Sequence, residues 1–173
     1  TYLLYGEWAD TRKKTSIQVC GIVPDFLNTV PQCAWNDSWI KYGLEKYGAI
    51  YCTYCDKNLV RGFSPAETVE ISSVLTHGAP SCEFNWIGAN FQTEQEFYDL
   101  MKLKSEISHY TMKDFLYHSG HALSALRLTF YVELSVPETE RICSAALREF
   151  AGIMGEAKCA ALEEESHLNF LEI

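Results

Sequence analysis

Seven cysteines carry the most reactive side chains of this sequence: Cys20, Cys33, Cys52, Cys55, Cys82, Cys143 and Cys159. Their odd number and uneven spacing do not form a secreted disulfide framework, so reduced thiols are expected. Cys33 stands just ahead of residues with helical spacing. The dipole at a helix N-terminus lowers a thiol pKa, which makes Cys33 the first candidate for a nucleophile; a small buried residue is the competing reading. Cys82 opens a strand, as nucleophile, site wall or core residue. Asp56 follows Cys55 in an otherwise apolar run, and an unpaired buried carboxylate is costly, so it needs water, a donor or a site role. Cys52-Thr53-Tyr54-Cys55 is a lone C-x-x-C. Zinc would need Cys82, His77 or Cys33 to complete it, and without a second pair we expect no metal and no cofactor. His118, in Tyr117-His118-Ser119-Gly120-His121, is a candidate general base beside what reads as a helix junction. Trp35, Trp39, Tyr42 and Tyr47 suit a core, or the wall of a site for a flat heterocycle.

Several of these residues sit in one pattern. A Cys precedes a helix; Cys55-Asp56 follows, then Gly62-Phe63-Ser64-Pro65, then Glu70, Leu75, Gly78 and Cys82-Glu83-Phe84. Over roughly residues 30–87 the set resembles the L-2-amino-thiazoline-4-carboxylic acid hydrolase family. Here the acid follows Cys55 directly, and Ser64 stands where Asn is commoner. The order of halves differs as well. A helical segment with Ala145-Ala146-Leu147-Arg148-Glu149-Phe150 and Gly155-Glu156 resembles that family's leading helices but comes last, which implies a permuted or processed chain. Thr1 is expected to mark a trimmed start rather than a processed nucleophile.

The resemblance implies a hydrolase that opens a small cyclic amidine, thiazoline carboxylate-like, at a carbon–nitrogen/carbon–sulfur centre. Such a substrate joins an amidinium to a carboxylate. Asp56, Glu70 and Glu83 are candidates to pair the amidinium, and Arg61 or Arg127 to hold the carboxylate. The expected catalytic set is Cys33, Asp56, Cys82 and His118; the expected binding set is Arg61, Glu70, Arg127 and Trp35. The site is expected to draw on both halves of the chain. Glu70, Gly78, Cys82 and Phe84 also resemble the 4-vinyl reductase-like sensor domains, so a non-catalytic small-molecule-binding module is the alternative. The Gly-Phe-Ser-Pro element, Asp56 and the want of an output domain favour the hydrolase.

The elements that must position these residues follow from composition. The length of 173 residues suits one domain, 1–173. Residues 1–92 are rich in β-branched and aromatic side chains, and 93–173 in Ala, Leu, Glu and Lys. That predicts an α+β fold, an antiparallel sheet from the first half packed against helices of the second. Strands are predicted at Tyr2 to Trp8, Ser16 to Val23, Thr68 to Leu75 and Cys82 to Ile87. Helices are predicted from Cys33 to Lys46 and at 94–117, 120–134 and 136–168, the last breaking near Gly152 or Gly155. Thr93 to Glu96 and Ser135 to Glu138 have capping-box form. The net charge of −9 argues against a nucleic-acid partner, and no apolar stretch has transmembrane length. A cytoplasmic protein that takes a small molecule, and allows a homo-oligomer, is expected.

Overall fold

A computed structural model describes residues 15–66 and 68–170. The fold is α+β, with the antiparallel sheet in the N-terminal half and helices in the C-terminal half. The chain divides into two compact units, 1–112 and 113–173.

The first unit is built on four strands: β1 (Ser16–Gly21), β2 (Phe26–Gln32), β3 (Thr68–Ser73) and β4 (Cys82–Ile87). They lie in the order β1-β2-β4-β3, every neighbouring pair antiparallel. Register sets the faces. Phe26, Asn28 and Val30 stand opposite Trp86, Phe84 and Cys82, so alternation puts these six side chains on one face. Buried Asn28 is satisfied there, its Oδ1 accepting from Trp86 Nε1 at 2.7 Å. Glu70 and Glu83 have the opposite parity and are exposed, and Ser72 Oγ donates to Glu83 on that outer face at 2.7 Å.

Two helices fill the stretch between β2 and β3: α1 (Ala34–Tyr42) and α2 (Glu45–Phe63). The single helix expected from Cys33 to Lys46 is therefore cut at Gly43, whose φ of 67° ends α1 in a left-handed turn. The indole of Trp39 then lies against Gly48 of α2, where a Cβ would come within 2.4 Å of its Cδ1. Val60, 1% exposed, marks the buried side of α2, and Cys52 and Asp56 share that side at four-residue spacing. A third helix, α3 (Glu94–Thr111), completes the unit. Thr93 caps it, accepting from Glu96 N, while the Glu96 carboxylate reaches back to Gln92 N at 2.8 Å. Phe97 of α3 stacks on Phe26 with ring centroids 4.7 Å apart and joins Ile22 and Phe91 in the buried core.

The second unit holds α4 (Phe115–Glu133), α5 (Val136–Met154) and α6 (Glu156–Glu165). The expected break in the last helix falls at Gly155, φ 94°. Pro137 occupies the first turn of α5, while the Ser135 hydroxyl binds the Glu138 carboxylate rather than a backbone N–H. The segment Tyr117 to His121 is not a junction: it lies inside α4, which is capped earlier by Asp114, accepting from Tyr117 N at 2.9 Å. Gly120 is there because α6 passes close by; a Cβ would stand 2.9 Å from that of Glu165. Cys143 and Cys159 are buried on these helices, with Cys159 Sγ directed at Leu147 O. Thr1 and the strand expected at Tyr2 to Trp8 lie outside the described residues.

Candidate active site

Cys33 occupies the N-cap position of α1 and is half-buried. Cys52 and Asp56 come from α2, and Cys82 from the first position of β4. Cys52 and Cys82 each respond to the charges of both Cys33 and Asp56, and Cys52 responds to Cys82 as well. Three of these four residues, Cys33, Asp56 and Cys82, belong to the set expected from the sequence, and the fold brings them into electrostatic range of each other. Cys52, weighed from the sequence chiefly as a metal ligand, joins the group.

Burial governs the ionisation of this cluster. Desolvation raises the Asp56 carboxyl above its ordinary value. It pushes the Cys52 thiol up to about 11, with the negative charges of Asp56, Cys33 and Cys82 adding to the rise. Cys82 is raised by the same causes, against a hydrogen bond from Leu75 N at 3.3 Å that favours its thiolate. Cys55 is raised as well, by burial. The adjoining Tyr51 phenol is raised first by burial and then by Cys55, Asp56 and Cys52. Acidic groups crowded in a low-dielectric site cannot all ionise, so the group holds few negative charges.

The turn between β3 and β4 completes the surroundings. Leu75–His77 forms one tight turn, closed by Gly78 at φ 85°, a conformation that favours glycine. The turn directs Thr76 toward Cys52: its hydroxyl, buried and without another partner among the described residues, favours the Cys52 thiolate as a donor. It also sets His77 Nε2 at 3.3 Å from both Thr53 Oγ1 and Ala49 O of α2. Between α2, β3 and this turn lies a cavity of about 370 Å³, lined in part by Cys52, Thr53, Lys57, Ser73 and His77. Trp35 stacks on Tyr51 with centroids 5.1 Å apart, and Trp39 tilts against both.

Glu70 is on the exposed outer face of the sheet, away from Cys82, and Arg61 is exposed in the last turn of α2. His118 and Arg127 belong to the second unit. There His118 meets the ring of Tyr117 edge-on, and Arg127 binds Ser166 Oγ at 3.1 Å and Glu163 at 3.5 Å. Among the described residues no group of three His, Cys, Asp or Glu side chains is placed to hold a metal ion. None of the described helices is long and apolar enough to cross a membrane.

A half-buried thiol at a helix start, a desolvated carboxyl and two further thiols thus form one electrostatic group, and one of those thiols, Cys52, also lines the small cavity. Residues 23–86 match the family model of the L-2-amino-thiazoline-4-carboxylic acid hydrolases. The matched segment runs from the turn before β2 to the end of β4 and contains Cys33, Cys52, Asp56 and Cys82. No curated protein and no solved structure matches the chain.

Proposed function

We propose that the protein is a hydrolase that opens a small cyclic amidine bearing a carboxylate, a thiazoline carboxylate-like ring, at its carbon–nitrogen bond. The observation that carries this reading is the convergence of Cys33, Cys52, Asp56 and Cys82 within the segment that matches the hydrolase family. A crowd of acids that resists ionisation is relieved by a cation, and an amidinium ring is one. In the proposed reaction Cys33 Sγ attacks the amidine carbon while its proton passes to the Asp56 carboxylate. The new carbon–sulfur bond forms as the C=N electron pair moves to nitrogen. Asp56 gives the proton to the ring nitrogen as the ring carbon–nitrogen bond breaks. Water then adds to the same carbon as Asp56 takes its proton; the carbon–sulfur bond to Cys33 breaks, the departing sulfur takes that proton from Asp56, and the ring-opened carbamoyl product leaves. Trp35, stacked on Tyr51, offers a flat wall to the ring.

The test is turnover of thiazoline- and imidazoline-carboxylic acids, read as release of the ring-opened product. Cys33→Ala is expected to abolish it. Asp56→Asn is expected to lower kcat/KM at least about tenfold, the kinetic equivalent of about 1.4 kcal/mol. Full activity in both variants rejects the mechanism. A second reading, a non-catalytic small-molecule-binding module, draws on the burial that keeps Cys52, Cys55 and Cys82 un-ionised; saturable binding of the ring without product by the wild-type protein selects it.

A further inference from the structure

The cavity beside the cluster contains features that ring opening itself does not use. Cys52 belongs to both, so the cavity and the acids meet at this thiol. Asp56 and Lys57 are neighbours on α2, about 100° apart around the helix. Asp56 lies on the Cys52 stripe and Lys57 on the Thr53 stripe. Lys57 lines the cavity and gives it a cation, one residue along α2 from Asp56. Among the described residues no carboxylate stands within ion-pair distance of Lys57. The neighbouring wall is fixed, because the His77 ring is held by Thr53 and by the Ala49 carbonyl, and Thr53 Oγ1 itself donates to Ala49 O at 2.7 Å. A contact with a carbonyl oxygen requires a donor, so Nε2 is the nitrogen that carries the proton. A volume of about 370 Å³ is at the small end of ligand sites and suits a single five-membered ring with a substituent.

We propose that Lys57 holds the carboxylate of the substrate in this cavity, so that the protein selects small rings with an anionic carboxylate at one end and a cationic amidine at the other. The assignment rests on the ring-opening reading for the second end of the molecule. It places the carboxylate partner in the first unit, on the same helix as Asp56, rather than at Arg61 or Arg127.

Affinity alkylation tests it without requiring turnover. Iodoacetate and iodoacetamide deliver the same carbon to a thiol, but only iodoacetate carries a carboxylate. Both react through the same sulfur, so the ionisation of Cys52 cancels in the ratio of their rates. Rates at Cys52 are read by peptide mass mapping of the full chain and normalised to exposed Cys20. The expected result is a preference for iodoacetate at Cys52 at least about tenfold above that at Cys20, the lower range for a charge-assisted hydrogen bond. Lys57→Ala is expected to lose the preference and Lys57→Arg to keep it. A Cys52 preference no greater than that of Cys20, or one that survives Lys57→Ala, overturns the assignment. The two readings fail separately. Ring opening without the alkylation preference removes the Lys57 site alone, whereas the preference in a protein that opens no ring removes only the hydrolase reading.

Discussion

Asp56 carries a conflict between stability and function. Burial raises its carboxyl above the ordinary value of 3.8. A group raised on folding favours the protonated form in the native state. Its cost is absent below the unfolded pKa and grows as pH rises through the folded one. Asp56→Asn removes a charge that the site desolvates. The variant is expected to melt above wild type at pH 7, with the gap closing toward pH 4, while turnover falls. A lower Tm at pH 7 would show that the carboxylate has a stabilising partner. Cys52 reports on the same crowding. Moving from 9.0 to about 11 reduces its thiolate fraction at pH 8 about a hundredfold relative to an ordinary thiol, so iodoacetamide should label it correspondingly slowly. Asp56→Asn, by removing one of the opposing charges, should speed that labelling; an unchanged rate would mean that burial alone sets the thiol. Asp56 was legible in the sequence because a charge in an apolar run is anomalous wherever the run folds. Cys52 was not, since its surroundings come from Thr76 and His77, more than twenty residues away on a turn whose landing place no local pattern encodes.

The elements follow the same division. Strand β4 and the start of β3 were readable from alternation and from the breakers between them, and the helix starts at Thr93 and Val136 from their capping residues. Strand β2 was missed because Phe26–Gln32 contains Asn28 and Pro31, both poor strand formers. Asn28 is tolerated inside only because Trp86, on β4, donates to it. Helix α2 was missed for the opposite reason. Tyr47, Ile50 and Tyr54 leave large apolar side chains exposed, so no clean stripe of period 3.6 marks the buried side. The join between α1 and α2 is the place to test this packing. Gly48→Ala puts a methyl group into the Trp39 indole. The loss from overpacking, about 1–3 kcal/mol, should outweigh the gain in helix propensity of about 1 kcal/mol. The variant should therefore lower Tm, and an unchanged or higher Tm would mean that α1 yields freely.

At the scale of the whole molecule, every described strand precedes the composition break near Gln92, but so do α1 and α2, and the break does not separate the compact units. Helix α3 follows the break in sequence and yet supplies Phe97 to the core of the sheet unit. The division falls instead between Met112 and Lys113. Composition records which secondary structure a segment prefers; it does not record which surface the segment covers. The single-domain organisation proposed for residues 1–173 predicts one calorimetric transition, with the van't Hoff and calorimetric enthalpies equal. Two resolved transitions would refute it.

The crowding around Cys52 also makes the site a small internal buffer. Burial makes Asp56, Cys52 and Cys82 hold their protons more tightly than they would in water, and a bound cation shifts that balance the other way. Docking of an amidinium should expel a fraction of a proton into the medium before any bond is made. The heat of binding would then depend on the ionisation enthalpy of the buffer chosen for the titration. Plotted across several buffers, its slope counts the protons released, and in Asp56→Asn that slope should shrink.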